Sequence, residues 1–417
     1  MINYKINEGV NLYIEKTPKF KDVNIDVVFS KCLDGIDDVY YYGLCQFLED
    51  SCMLYDTKQK VSNVLDELYG AKLNVKIEKR GQLLMLRFTS SVLNGKFVQK
   101  DLLQQQFKLL AAFILKPKFF DEAKGLHLFA ETKQILALNI QAINDNPLSY
   151  ASVKANQLFA DMLAKHCIYS LEDVEKMTYD KLKEKYQEMI EKMNVDFLVI
   201  GDVDEKAILA NLSANFNFEK RHGHKQLVYQ NQKAEPARLQ ESKEVTQSTL
   251  VKLYTCNCVS TSKHYASMII GNGIFGTLPT SYLFQEIREK RSLCYSIFAD
   301  FKIYDGIIKV ATSFDLENLA LIEDLIAQQL QRIKDGDFPD ELLETTKQMY
   351  INNYAQSEDS VASILWNMFR ESIIHDDRST AKIINDMQQV TKESIMAAFK
   401  DVELKVTYVL AQGGGNL

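Results

Sequence analysis

The sequence predicts an α+β protein in which one domain type is used twice. Three observations carry this. Strand-like and helix-like stretches are grouped rather than alternating one for one. The same order of elements runs through the chain two times, with about 200 residues in each pass. The composition, 46% hydrophobic and 25% charged with only 6 Pro and 17 Gly, is that of a folded chain with a sizeable core. At 417 residues the chain is too long to need disulfide or metal staples.

The first pass opens with the β-rich run KDVNIDVVFSK, followed by two helical stretches, GLCQFLEDSCML and KVSNVLDELYG. Two adjoining strands come next, AKLNVKIEKR and GQLLMLRFTSSV, and the second alternates apolar and polar residues with period two. Helical periodicity then holds in KDLLQQQFKLLAAFIL, FFDEAKGLHLFAETKQILALNI, PLSYASVKANQLFADML and TYDKLKEKYQEMIEKM, before a short apolar strand, VDFLVIGDV. The second pass repeats this: strand STLVKLYTCN, helices SKHYASMIIGNGIFG and TSYLFQEIREK, and strands CYSIFADFKIY and GIIKVATSFD across an Asp305-Gly306 turn. Helices LENLALIEDLIAQQLQRI, DELLETTKQMYINNYAQ, VASILWNMFRESII and TKESIMAAFK lead to a last strand, ELKVTYVLAQ. The predicted organisation is an N-terminal α+β domain over 1–219, a polar linker over 220–240 carrying Pro236, and a C-terminal α+β domain over 241–417. QLVYQ, inside the linker, is a candidate first edge strand of the second half.

Charge narrows the function. Lys plus Arg is 49 against 56 for Asp plus Glu, a formal charge of -7, so no basic field is present to collect nucleic acid. No run of about 18 uncharged apolar residues occurs, and the N-terminal MINYKINEGVNLYIEK has no apolar segment behind a basic one. A cytoplasmic chain, neither exported nor membrane-spanning, is expected. The seven cysteines, odd in number and without a CxxC, match a reducing compartment. There is no G-x-x-x-x-G-K-[ST] loop, no dinucleotide fingerprint in Gly271 to Gly276, and no G-x-S-x-G elbow.

The first helix reads Gly43-Leu44-Cys45-Gln46-Phe47-Leu48-Glu49-Asp50. In its place in the order of elements, this segment resembles the G-L-x-H-F-L-E-H motif of the pitrilysin/insulinase zinc peptidases. There, two His four apart share a helical face and bind zinc, and the Glu between them polarises a water. The resemblance puts Gln46 and Asp50 at the two His positions and keeps Glu49 at the base. It puts the third ligand, a Glu before the Asp145-Asn146-Pro147 turn, at Asn139, beside Leu138. Two amides and an Asp are a poor set for zinc, so no metal, no cofactor and no catalytic residue is expected. The second half continues the resemblance. The run from Ser281 to Tyr295, SYLFQEIREKRSLCY, is similar to the family's S-x-L-F-x-x-L-R-E-x-x-G-L-x-Y segment, and Gly271, Gly273 and Gly276 resemble the glycine-rich turn before it. The resemblance implies that Arg288 and Tyr295 hold peptide.

Other residues have plainer readings. Cys45, Glu49 and Cys52 share a helical face at i, i+4 and i+7, where a metal site competes with a buried apolar stripe. Cys256 and Cys258 read as core cysteines of a strand. His222 and His224 fall in the linker, and His127, His166, His264 and His375 have no second His at ligand spacing.

The resemblance implies a catalytically inactive homologue with a clam-like chamber, the non-zinc, peptide-binding subunit of a peptidase or peptide-processing complex. Its partners would be a zinc-bearing homologous subunit and a peptide or unfolded-protein substrate, with a second copy of the chain as the homodimeric option. Two alternatives stay open: an accessory factor for elongation factor P modification, the label of some bacterial chains that it resembles, and a hydrolase with a non-standard metal site.

Overall fold

The computed structural model describes residues 1–33, 38–159, 169–221, 236–374 and 378–413. The first half contains β1 (Ile2–Asn7), β2 (Val10–Lys16), β3 (Asp22–Cys32), α1 (Asp38–Glu49), α2 (Lys58–Glu67), β4 (Lys72–Arg80), β5 (Leu83–Leu93), α3 (Leu102–Leu115), α4 (Glu122–Asp145), α5 (Pro147–Leu158), α6 (Leu171–Lys176), α7 (Tyr179–Lys192), β6 (Asn194–Gly201) and α8 (Glu205–Asn215). The second contains β7 (Ala237–Lys243), β8 (Ser248–Thr255), α9 (Tyr265–Asn272), β9 (Cys294–Lys302), β10 (Ile307–Phe314), α10 (Leu319–Asp335), α11 (Asp340–Ser357), α12 (Val361–Ile374), α13 (Thr380–Gln388), α14 (Lys392–Phe399) and β11 (Glu403–Gln412).

Two mixed sheets result, and their topology displays the duplication. The first has the order β1-β2-β6-β3-β5-β4 and the second β7-β11-β8-β10-β9. In both, one parallel pair (β2 with β6, β7 with β11) is followed by three antiparallel pairings in the same sequence. The first sheet differs by its extra strand β1, which turns into β2 at Gly9, φ 67°. This hairpin, together with α8 and α13, was not among the predicted elements, although β1 alternates apolar and polar residues as INYKIN and α13 buries Ile383 and Met387 on one face. Strand β7 begins at Ala237, within the expected linker, because parallel pairing with β11 orders Ala237 to Lys243 as a ladder. QLVYQ and the histidines at 222 and 224 lie outside the described residues, as do His166, Cys167 and His375.

The helices form where local signals are strong. Asn146 accepts from the Ser149 N–H at 2.8 Å and Pro147 occupies the first turn of α5, which ends α4 and starts a new helix. Helix α10 stops at Gly336, whose φ of 70° suits a residue without Cβ.

Compact units do not coincide with the two passes of the sequence. Among the described residues, one unit takes in 1–140, 169–221 and 360–374, and the other 141–159, 236–359 and 378–413. Each therefore contains a helix from the opposite half. In the first unit α12 packs against β6 and buries Leu365, Met368 and Phe369, while Trp366 carries the Arg80 guanidinium 5.1 Å from its ring centre. In the second, Ala151, Ala155 and Phe159 of the α5 segment pack with Val251, Leu253, Ala311, Val406, Tyr408 and Leu410 of the sheet. Tyr150 and Tyr408 both donate to Glu241, at 3.2 and 2.6 Å.

A fragment ending at residue 219 lacks α12 and should expose the apolar patch that it covers. We expect it to bind a hydrophobic dye and to aggregate, and we expect a peptide spanning 360–374, added in trans, to reverse both. A fragment that is monomeric and dye-negative by itself would show that α12 is dispensable to the first unit.

Candidate functional site

Helix α1 is oriented by its apolar face. Leu44, Phe47 and Leu48 are fully buried, and at Gly43 a Cβ would come within 2.7 Å of Met177 Cε and 3.2 Å of Leu182 Cδ1. This close approach leaves Gln46, Glu49 and Asp50 half-buried on the other side.

Each of the expected ligand positions has a local environment of its own. Asp50 pairs with Lys58 at 2.7 Å. Asn139, exposed on α4, lies beside the Tyr169 hydroxyl, and the Tyr169 ring packs on Tyr42 with centroids 4.9 Å apart. Tyr42 is one turn before Gln46 on the same face of α1, so an aromatic pair stands beside Gln46. Tyr169 was missed by sequence reasoning, since nothing in its neighbours signals a contact with α1 and α4. Glu49 lies beside the Val75 backbone N–H, and its carboxyl is pushed up by burial first and by the Asp50 charge second, against the opposing Lys58 and Lys76. Cys45 donates to the Val75 carbonyl at 3.4 Å, and burial pushes its thiol up to about 12. Cys52 is buried, with its sulfur accepting the Tyr55 N–H at 3.4 Å.

This donor set does not fit zinc. Gln46 and Asn139 are amides, Asp50 is engaged with Lys58, and among the described residues no three His, Cys, Asp or Glu side chains are grouped to hold a metal ion. Cys256 and Cys258 lie just beyond β8 in the second core, with thiols raised by burial to about 12 and about 11, as inert core cysteines are. His127 is exposed, 3.7 Å from Glu131, and His264 precedes α9.

The structure brings Arg288 and Tyr295 together. Arg288 lies in a π-helical segment, Phe284–Glu289, where Lys290 N–H reaches back to the Gln285 carbonyl at 3.0 Å. Such segments are uncommon and frequent at functional sites. Ser292, with φ 52°, reverses the chain into β9. There the register with β10 slips: Ser313 faces Ser296 and Phe314 faces Cys294, so Tyr295 is the unpaired residue of a bulge. The bulge turns its side chain out, 80% exposed. The Arg288 guanidinium lies 4.5 Å from the Phe284 ring centre and 5.6 Å from that of Tyr295. Its carboxylate contact is Glu289 at 3.7 Å, while Glu286 is taken by Lys290 at 2.6 Å and Arg291 at 2.8 Å. Two adjacent groups with N–H and O–H donors are thus presented at a sheet edge. The glycines before this segment do not form a turn: Gly271 is in α9, and Gly273 and Gly276 belong to a second π-helical stretch, Gly273–Thr277. They are required by contact, since a Cβ on Gly276 would lie 2.6 Å from Ala299 Cβ and 3.0 Å from the Ala299 backbone nitrogen.

The family description "Peptidase M16 inactive domain" matches residues 176–350. The Bacillus subtilis (strain 168) protein named "Probable inactive metalloprotease YmfF" is 27% identical over 412 residues, 96% of either chain. Over this stretch and along this relative the chain is similar to M16 peptidases of the inactive type. Its fold agrees with that of a conserved protein from Enterococcus faecalis V583, at TM-score 0.92 and 24% identity over 100% of this chain and 99% of that one. It also agrees with the M16 inactive domain from Pseudomonas fluorescens, at TM-score 0.82 and 17% identity over 100% and 99%. The expected α+β class and the expected peptidase resemblance both hold for this chain.

Glu49 gives the site a pH signature. Because its carboxyl is raised, the folded protein holds that proton more tightly than the unfolded chain does. The stability this contributes is complete in acid, below about pH 4, and is lost as pH rises through the raised value. Glu49→Gln mimics the protonated form at every pH. The stability of the variant relative to the parent should therefore increase between pH 4 and pH 7, as read by denaturant unfolding of both. A difference that is flat with pH, or that runs the other way, would contradict a raised Glu49.

Proposed function

We propose that this chain is the non-zinc, peptide-binding subunit of a peptidase or peptide-processing complex and works beside a zinc-bearing homologue. The observation that carries the reading is a contrast between two groups of residues. At the positions where the resemblance implies zinc ligands, the amides and the Lys58-paired Asp50 leave no metal donor set. The Arg288–Tyr295 pair, by contrast, is present and adjacent, with Arg288 half-buried and Tyr295 exposed. In the proposed complex the zinc and the attacking water belong to the partner. This chain's guanidinium and phenol donate hydrogen bonds to a peptide carbonyl and stabilise the charge that develops on it. The cytoplasm is the proposed setting, in keeping with seven cysteines that are odd in number and contain no CxxC.

The test has two parts. Purified alone, the chain should bind no stoichiometric zinc in elemental analysis and cleave no unfolded peptide. Mixed with its zinc-bearing homologue, it should sediment as a heterodimer and raise peptide turnover. Within that complex, Arg288→Ala or Tyr295→Phe should lower kcat/KM by about a hundredfold to a thousandfold, the effect of losing about 2.7 to 4 kcal/mol of transition-state stabilisation. Tyr295→Phe should hardly change the melting temperature of the isolated chain, since a substitution at an exposed position costs within about 0.5 kcal/mol. Normal kinetics in both variants would remove the peptide-binding role, and a homologue that is unaffected by this chain would remove the partnership.

A further inference from the structure

Hydrophobic burial accounts for only part of the face that α12 covers on the first sheet. The helix packs against β6 and buries Met368 and Phe369. Beneath its first turns, towards the outer strands, the floor is polar, and a cavity of about 340 Å³ lies there with Val361, Ala362 and Leu365 as its apolar wall. That volume falls in the range of small-molecule sites, roughly 300 to 1,000 Å³. All of the lining belongs to the first compact unit.

The ladders set the floor in rows across three strands. Asp26, Thr89 and Asn74 stand opposite one another on β3, β5 and β4. Lys76 faces Arg87 on one side of that row, and Lys72 faces Ser91 on the other. Each lysine is two residues from Asn74 on the same face, about 7 Å along the strand, which is within the reach of its side chain. Asn74 and both lysines are exposed, Thr89 is half-buried and Asp26 is buried, so the cavity is open at β4 and closed at β3.

The charges on this floor do not cancel. One nitrogen of the Arg87 guanidinium pairs with Asp26 and another with Glu78 at 3.2 Å, so a single cation holds both carboxylates of the cavity. Lys72 and Lys76 form no ion pair, and the Asn74 amide and Thr89 hydroxyl between them find no hydrogen-bond partner, among the described residues. An anion at Asn74 and Thr89 would therefore meet an amide N–H, a hydroxyl and two ammonium groups. The donors also select its class. A planar carboxylate matches the fork of a guanidinium, and here that fork is occupied by Asp26 and Glu78. Lysine ammoniums act as point charges, which suit a tetrahedral phosphate.

We propose that this cavity binds the phosphate group of a small molecule, with Lys72 and Lys76 as its cations and Asn74 and Thr89 as its neutral donors. Arg87 is a positioning residue that keeps the two carboxylates engaged and away from the phosphate. This inference is independent of the peptide-binding role proposed for Arg288 and Tyr295, because it concerns the other sheet and is read without a partner or a peptide.

Calorimetric titration of the full chain with inorganic phosphate, at fixed ionic strength, tests it. One phosphate per chain should bind with a Kd of about 1 mM or tighter. Lys72→Gln and Lys76→Gln should each weaken binding by about tenfold, the loss of one charge-assisted hydrogen bond, and the double substitution should abolish it. Both lysines are exposed, so without phosphate these variants should melt as the parent does. Arg288→Ala should bind phosphate as the parent does. Malonate, which offers planar carboxylates, should bind at least about tenfold more weakly than phosphate. Glycerol phosphate should bind at least as tightly as inorganic phosphate, since the cavity has room for the rest of the molecule. No saturable binding of phosphate up to about 10 mM would overturn the site. Binding that survives the double lysine substitution would overturn its location, and malonate bound as tightly as phosphate would overturn the ligand class. Glycerol phosphate bound more weakly than inorganic phosphate would overturn the small-molecule carrier and leave free phosphate as the ligand.

Discussion

Every β-sheet has two faces to cover, and in this protein the need to bury both shapes everything else. All residues of β8 are buried, and all of β6 but its first, so neither face of those strands is left to water. The helices of one half of the chain cover one face of the sheet formed by that half. The other face of the first sheet takes α12 and that of the second takes α5, each from the opposite half of the sequence. The exchange ties the two passes together more firmly than a linker could, because neither sheet is complete without a helix encoded far away.

The same economy governs the polar residues near α1. A half-buried polar side chain needs a partner, since an unpaired buried donor or acceptor costs about 1 to 3 kcal/mol. Asp50 has Lys58, Asn139 lies beside Tyr169, and Glu49 lies beside the Val75 amide. The result is a self-satisfied set of contacts that links α1 to β4 and Asn139 to Tyr169. A carboxylate drawn into such a set is held by geometry even though burial disfavours its charge.

The second half took a different course at the equivalent strand. A bulge at Tyr295 and a π-helical turn at Arg288 break regular pairing and turn two donor-bearing side chains outward. Both irregularities put extra residues into otherwise regular elements, which is how a fold re-aims a side chain without rebuilding its core. Duplication thus yielded two outer strands of one design, of which β9 carries an exposed aromatic and a guanidinium beside it.

Periodicity and residue order by themselves determined the α+β class, the duplication, and most long elements, α12 to the residue, because burial of one face imposes a period that needs no knowledge of the neighbour. They also determined which residue types stand at 46, 49, 50 and 139. β1, α8 and α13 were not read from the sequence, although β1 alternates with period two. Only the tertiary structure decided where α5 and α12 dock, that Tyr169 meets Asn139, that Glu49 lies beside Val75, and that Tyr295 is the extra residue of a bulge. Each of these depends on which distant segments come to lie side by side, and contact between residues many positions apart is set by packing in three dimensions, where no local pattern in the chain records it.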